Sequence, residues 1–139
     1  MRVMALDFGT RTIGIALSDP LGIIANGLET FRYKEGDYEA CYTRLLEVIN
    51  QYKVEDIVIG LPYHMNGDES DKIAIIKEFS KELEKRSNIK VNGLDERMTT
   101  MLATKYLLEA DVSRAKRKKV VDMMSAVVIL QDYLDRKGK

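Results

Sequence analysis

Cysteine, histidine and proline are scarce in this chain of 139 residues, and each scarcity removes a class of explanation. The single cysteine, Cys41, cannot pair within the chain, so a disulfide scaffold is excluded. The single histidine lies in the segment Pro62-Tyr63-His64-Met65 and reads as a loop residue, not a zinc ligand. Only Pro20 and Pro62 occur, no stretch rich in Pro, Gly or Ser divides the chain, and no internal repeat is visible. A single domain over residues 1–139 is the expectation. No apolar run reaches the roughly 20 residues needed to span a bilayer. Asp7 interrupts the N-terminal segment before any signal-peptide core forms, so the expected location is cytoplasmic.

What is present is a globular mixture, 45% apolar and 32% charged, with enough chain to bury a core. The 22 basic and 22 acidic residues cancel overall but are unevenly spread. Residues 1–70 hold 6 basic against 11 acidic side chains, and residues 71–139 hold 16 against 11. The second half is therefore the one suited to a polyanion. Its densest cluster is Arg114-Ala115-Lys116-Arg117-Lys118-Lys119, which taken alone also fits a solvated loop or helix end.

Hydrophobic spacing orders the elements. Met1 to Phe8 is apolar on both alternating faces, which predicts a central strand covered on both sides. Gly9-Thr10-Arg11-Thr12 predicts a hairpin connection into a strand over Ile13 to Ser18, and Asp19-Pro20-Leu21-Gly22 a turn into a third strand over about Ile23 to Phe31. Asp37 caps a helix carrying Tyr38, Cys41, Leu45, Ile49 and Tyr52 at helical spacing. A short strand over Ile57 to Gly60 follows, then a helix capped by Ser70 or Asp71 with Ile73, Ile76, Phe79 and Leu83 on one face. Val91 to Asp95 is a fifth strand. Beyond it come a helix from about Thr99 to Glu109, the basic stretch, and a last helix from about Val120 to Arg136. In that helix the stripe Val120, Met124, Val127, Gln131 and Leu134, broadened by Met123, Val128 and Leu130, is assigned to the core. Three strands in a meander followed by alternating helices and strands argue an α/β fold, a mixed five-stranded sheet with helices on both faces. The ribonuclease-H-like architecture has this order.

Three places put carboxylates where they need explaining. Asp7 sits near the end of a buried strand, where an ionised aspartate requires a partner or a metal, although a hydrogen bond to the Gly9-Thr10 turn would also satisfy it. Its expected cross-strand neighbours, Gly14 and Ala16, are small and leave space above the sheet. Asp95-Glu96-Arg97 closes the fifth strand at a sheet end. Alternation puts Asp95 and Glu96 on opposite faces, so only one of them shares the side of Asp7, while an Arg97 ion pair is the plain alternative. Asp122 lies early in the final helix with the small residues Ser125 and Ala126 beside it, and a carboxylate favoured by the helix dipole would look the same. Oxygen ligands from separate elements suit hard divalent ions such as Mg²⁺ or Mn²⁺.

These residues resemble the YqgF/RuvX family, pre-16S rRNA nucleases related to Holliday-junction resolvases. The resemblance runs through Asp7-Phe8-Gly9-Thr10-Arg11-Thr12-Ile13-Gly14-Ile15-Ala16, Gly60-Leu61-Pro62 with Gly67, Asp95-Glu96-Arg97-Met98-Thr99-Thr100, Val121-Asp122 and Ile129-Leu130-Gln131-Asp132-Tyr133-Leu134. It implies a ribonuclease-H-like fold and an acidic site of Asp7, Glu96 and Asp122 holding Mg²⁺ or Mn²⁺, with Asp95 as the alternate carboxylate. Thr12 stands where many relatives carry arginine and Ser125 where alanine is usual. The implied activity is hydrolysis of phosphodiester bonds in structured nucleic acid, with processing of the 5′ end of pre-16S rRNA as the leading role. Thr10, Arg11 and Arg97 would position phosphates, and Arg114, Lys116, Arg117, Lys118 and Lys119 would form a flexible, salt-sensitive clamp on the backbone.

Three rival readings compete. Asp7-x-Gly-Thr before an apolar strand also resembles the phosphate loop of the actin and sugar-kinase superfamily, but those enzymes close two similar domains over ATP. A resolvase acting on four-way DNA junctions would use the same metal chemistry and require a homodimer, for which exposed apolar surface is the available basis. A non-catalytic nucleic-acid-binding module would be expected to have lost one of the acids, and all three are present.

Overall fold

The computed structural model describes residues 1–64, 66–67, 70–98 and 114–138, with the backbone alone at residues 98 and 114–122. Five strands form one sheet: β1 (Arg2–Phe8), β2 (Thr12–Ser18), β3 (Ala25–Arg32), β4 (Val54–Leu61) and β5 (Val91–Asp95). Their order across the sheet is β3-β2-β1-β4-β5. The first three strands pair antiparallel as a meander, whereas β4 and β5 join β1 in parallel. Helices α1 (Tyr38–Tyr52) and α2 (Asp71–Ser87) make the two crossovers, and α3 (Arg114–Lys137) follows β5 and a short 3₁₀ turn over Glu96–Met98.

Alternation along the strands decides what each face carries. Met4, Leu6, Phe8, Ile13, Ile15, Ile57 and Ile59 form a core with Cys41, Leu45, Val48 and Ile49 of α1 and Ile76, Phe79 and Leu83 of α2. Burial there pushes the Cys41 thiol up to about 12, so it stays protonated and inert. Val3, Ala5, Ala16, Val58 and Leu94 face the other way, against Ala126, Ile129, Leu130 and Leu134 of α3. Small side chains on this second face admit the helix closely. A Cβ on Gly27 would lie 2.8 Å from Met123 Cγ, and one on Gly60 would lie 2.7 Å from Ile129 Cδ1.

The local signals act as expected at the start of α1, where the Asp37 carboxylate accepts a hydrogen bond from the Ala40 N–H at 3.3 Å. Ser70 occupies the N-cap position of α2, but its hydroxyl makes no cap hydrogen bond. Each helix ends on a left-handed residue, Lys53 and Asn88, whose N–H closes the last turn.

Five expectations need correction or lie beyond view. Strand β3 begins at Ala25, because the Asp19 carboxylate accepts from the Ile23 and Ile24 N–H groups and holds them in the turn. Strand β4 begins at Val54, three residues before Ile57, since the buried Asp56 carboxylate is satisfied by donors from Asn92, Tyr133 and Lys137. Helix α3 begins at Arg114, so the basic stretch is helical backbone and not a flexible connection. Its buried stripe is Ser125, Ala126, Ile129, Leu130 and Leu134, whereas Met124, Val127 and Gln131 flank it half-buried and the Val120 side chain lies outside the described residues. The helix expected from about Thr99 to Glu109 lies outside the described residues.

Candidate metal and phosphate site

Strands β1, β4 and β5 run parallel and end at one edge of the sheet, the usual place for ligands in α/β folds. At that edge Asp7 pairs across the sheet with Gly14, and Leu6 pairs with Ile59, which brings Gly60 beside the end of β1. Asp7 shares the face of Val3 and Ala5, the α3 face.

A cavity of about 160 Å³ opens there. Asp7, Phe8 and Gly9 enter it from the end of β1, Thr12 from the start of β2, Gly60 and Pro62 from the end of β4, Lys72 from the first turn of α2, and Glu96 from the turn after β5. Gly60 matters because a Cβ there would lie 3.3 Å from Glu96 Cγ and Cδ, crowding the carboxylate that the bare backbone lets in. Asp7 and Glu96, distant along the chain, thus line the same space. A volume of 160 Å³ exceeds the share of several waters at about 30 Å³ each, so a hydrated ion fits. The two carboxylates offer oxygen ligands, which suit a hard divalent cation.

Asp95 turns elsewhere. Its carboxylate accepts from the Arg97 N–H at 3.0 Å and from Nη2 at 2.6 Å. The Arg97 side-chain bond, followed by the backbone bond, holds the Asp95 carboxyl below the usual aspartate range. The same bond raises the Arg97 guanidinium, which also lies 5.5 Å from the centre of the Tyr63 ring. Arg97 is therefore fixed at the sheet end beside the cavity. We expect Asp95→Asn to leave divalent-ion affinity unchanged while loosening Arg97, and titration calorimetry with Mn²⁺ checks it; a lost metal site would make Asp95 a ligand.

Of the remaining predicted residues, Thr10 and Arg11 are exposed in the turn after β1, and Arg11 lies 4.0 Å from the Glu35 carboxylate. Asp122 falls in α3, seven residues and two turns before Ile129, which approaches Gly60. The side chains of Asp122 and of Arg114, Lys116, Arg117, Lys118 and Lys119 lie outside the described residues. Among the described residues no three Cys, His, Asp or Glu side chains gather, so the described portion supplies two carboxylates of the predicted three. A larger groove of about 680 Å³ between α1 and α2 is lined by charges of both signs, with Arg86 already paired to Glu39 at 2.6 Å.

Two residues at this edge escaped the sequence reading. Lys72 carries no sequence signal beyond a cation in the first turn of a helix. Tyr33 lies beyond β3, 8% exposed, and its hydroxyl donates to the Gly9 carbonyl while its N–H bonds the Arg11 carbonyl at 3.0 Å. Burial raises the phenol well above its ordinary value, keeping it a donor. With Gly9 N–H bonded to the Thr12 carbonyl at 2.8 Å, the turn after Asp7 is held at both ends. We expect Tyr33→Phe to cost about 1 kcal/mol, read from the denaturation midpoint, because the Gly9 carbonyl loses its donor while the ring packing with Phe8 persists.

Comparison with known proteins agrees with this architecture. A Clostridium botulinum (strain Alaska E43) protein named "Putative pre-16S rRNA nuclease" is 50% identical over 141 residues, covering all of both chains. A Bacillus subtilis (strain 168) protein of the same name is 48% identical over 135 residues, covering 97% of this chain and 98% of that one. Among solved structures, Thermus thermophilus RuvC in complex with a Holliday junction substrate superimposes with a TM-score of 0.64 at 12% identity, covering 99% of this chain and 96% of that one. The fowlpox virus Holliday junction resolvase gives 0.60 at 14% identity over 99% of each chain. These two show the shared ribonuclease-H-like fold. The RuvX family model, described as Holliday junction resolvase, matches residues 1–136, and the chain belongs to that family.

Proposed function

We propose that this protein is a nuclease that hydrolyses phosphodiester bonds of structured nucleic acid, with the 5′ end of pre-16S rRNA as its substrate. The single observation that carries this reading is the meeting of Asp7 and Glu96 in one glycine-floored cavity at the carboxyl ends of β1, β4 and β5. The names of the full-length relatives support the substrate.

In this reading residues 1–139 act as one nuclease domain, and Asp7, Glu96 and Asp122 hold a divalent ion. A bound Mg²⁺ or Mn²⁺ would neutralise charge on the phosphate and activate water for in-line attack at phosphorus. Asp7 approaches from a central strand and Glu96 from the turn that ends β5, so the backbone itself brings the two carboxylates to one space. Arg97, preset by Asp95, and Thr10 with Arg11 orient the neighbouring phosphates. Arg114, Lys116, Arg117, Lys118 and Lys119 engage the backbone without reading sequence. Hydrolysis adds water across the bond, leaving a 5′-phosphate on one fragment and a 3′-hydroxyl on the other. No helix among the described residues is long and apolar enough to cross a membrane, and action in the cytoplasm fits an rRNA substrate.

The test is incubation with a 5′-extended pre-16S rRNA, a single-stranded RNA and a four-way DNA junction, each with Mn²⁺ or EDTA. Cleavage of the precursor that EDTA abolishes is the expected result. Symmetric cutting of the junction alone, by a dimeric species in sedimentation, would replace it with the resolvase reading. Binding without cleavage of any substrate would leave the non-catalytic module.

A further inference from the structure

The reading above gives the cavity acidic ligands but no cation of its own to receive the reacting phosphate. Lys72 lies at the cavity with Asp7 and Glu96, in the first turn of α2 and exposed. It precedes Ile73, the first buried residue of the helix, so its backbone is anchored while its side chain stands off the buried stripe. The other cations tied into the described fold already have work. Arg44 pairs with Glu29, Arg86 with Glu39, Arg97 with Asp95 and Lys137 with Asp56. Among the described residues Lys72 has no such pair, although it sits where two carboxylates gather.

We propose that Lys72 is a phosphate-binding residue of this cavity, its ammonium contacting a non-bridging oxygen of the phosphodiester held there. A recess lined by carboxylates repels a polyanion, and a flexible cation at its mouth draws the phosphate in and stays with it as charge builds on the phosphoryl oxygens. An ammonium is a compact point charge with three donors, suited to a phosphate oxygen that shifts during reaction. The inference rests on the nuclease reading of the same cavity.

Three measurements on wild type, Lys72→Met and Lys72→Arg decide it. Turnover of the 5′-extended pre-16S rRNA in Mn²⁺ should fall about 30-fold in Lys72→Met, the loss expected for one charged hydrogen bond, and recover in part in Lys72→Arg. Calorimetry with Mn²⁺ alone should show equal or tighter binding to Lys72→Met, since a positive charge beside the ligands has gone. Calorimetry of adenosine 5′-monophosphate against the Mn²⁺-loaded proteins should show weaker binding to Lys72→Met by about tenfold. Wild-type turnover in Lys72→Met overturns the proposal. So does a loss of Mn²⁺ affinity, which would mark a damaged cavity. If the wild type cleaves nothing, the nuclease reading fails by itself, and the monophosphate then decides: weaker binding to Lys72→Met sustains the phosphate role, and no difference, including no binding by either protein, overturns it.

Discussion

Replacing Asp7 by Asn, or Glu96 by Gln, is expected to lower phosphodiester cleavage by about 1000-fold, equivalent to ~4 kcal/mol of transition-state stabilisation. Each change is nearly isosteric and removes one negative charge from a cavity in which two carboxylates meet. Divalent-ion affinity should fall with it, because a neutral amide is a poor ligand for a hard cation. Stability should move the other way. A carboxylate placed for function beside another carboxylate is not placed for folding, so the melting temperature of either variant should stay level or rise in metal-free buffer. That sign separates the two explanations of Asp7 that the sequence leaves open. A structural aspartate satisfying the Gly9-Thr10 turn would lower the melting temperature when replaced and leave cleavage intact. Cleavage by Asp7→Asn at the wild-type rate in Mn²⁺ would end the catalytic assignment.

The readable part of this protein is the part whose signals are local. The meander of β1 to β3, the Asp37 cap and the α2 face of Ile73, Ile76, Phe79 and Leu83 all follow from period, turn chemistry and capping within a few residues. Alternation also separates Asp95 from Glu96, and the Asp95–Arg97 pair accounts for the one turned away from Asp7. The failures are non-local. Helix α3 lays its small residues Ser125 and Ala126 against the sheet, at 2% and 0% exposure, beside Ile129, Leu130 and Leu134, so a stripe drawn through its apolar side chains finds the large half of the contact line and misses the small half. Lys72 acquires meaning only because the chain brings the first turn of α2 to the end of β1. Tyr33 reads as one more aromatic until its hydroxyl meets the Gly9 carbonyl. Asp56 looks like the residue before an apolar strand, whereas the fold buries it at 7% exposure and surrounds it with donors.

Those donors make Asp56 the site of the largest expected loss of stability outside the apolar core. One carboxylate oxygen accepts from Asn92 Nδ2 at 2.9 Å and from the Ile57 N–H at 3.1 Å. The other accepts from the Tyr133 hydroxyl at 2.7 Å and from Lys137 Nζ at 2.9 Å. Asp56 thus ties β5 and the last turns of α3 to the start of β4. Asp56→Ala should destabilise the protein by about 3 kcal/mol, because the Tyr133 hydroxyl and Asn92 amide lose an acceptor in a part-buried setting. Lys137 is 47% exposed and rehydrates when its partner is gone, so Lys137→Met should cost under ~1 kcal/mol and Tyr133→Phe about 1 kcal/mol. The Asp56 bond raises the Lys137 ammonium above its ordinary range. A raised base contributes stability that is complete below its unfolded value and fades as pH climbs through the folded one, so the Lys137 share is constant at neutral pH and lost only in strong alkali. Urea denaturation of the three variants measures these differences. The network sits at the opposite end of β4 from Gly60, so folded Asp56→Ala should retain wild-type Mn²⁺ affinity; a large change in affinity would mean that the sheet transmits strain along β4 to Glu96.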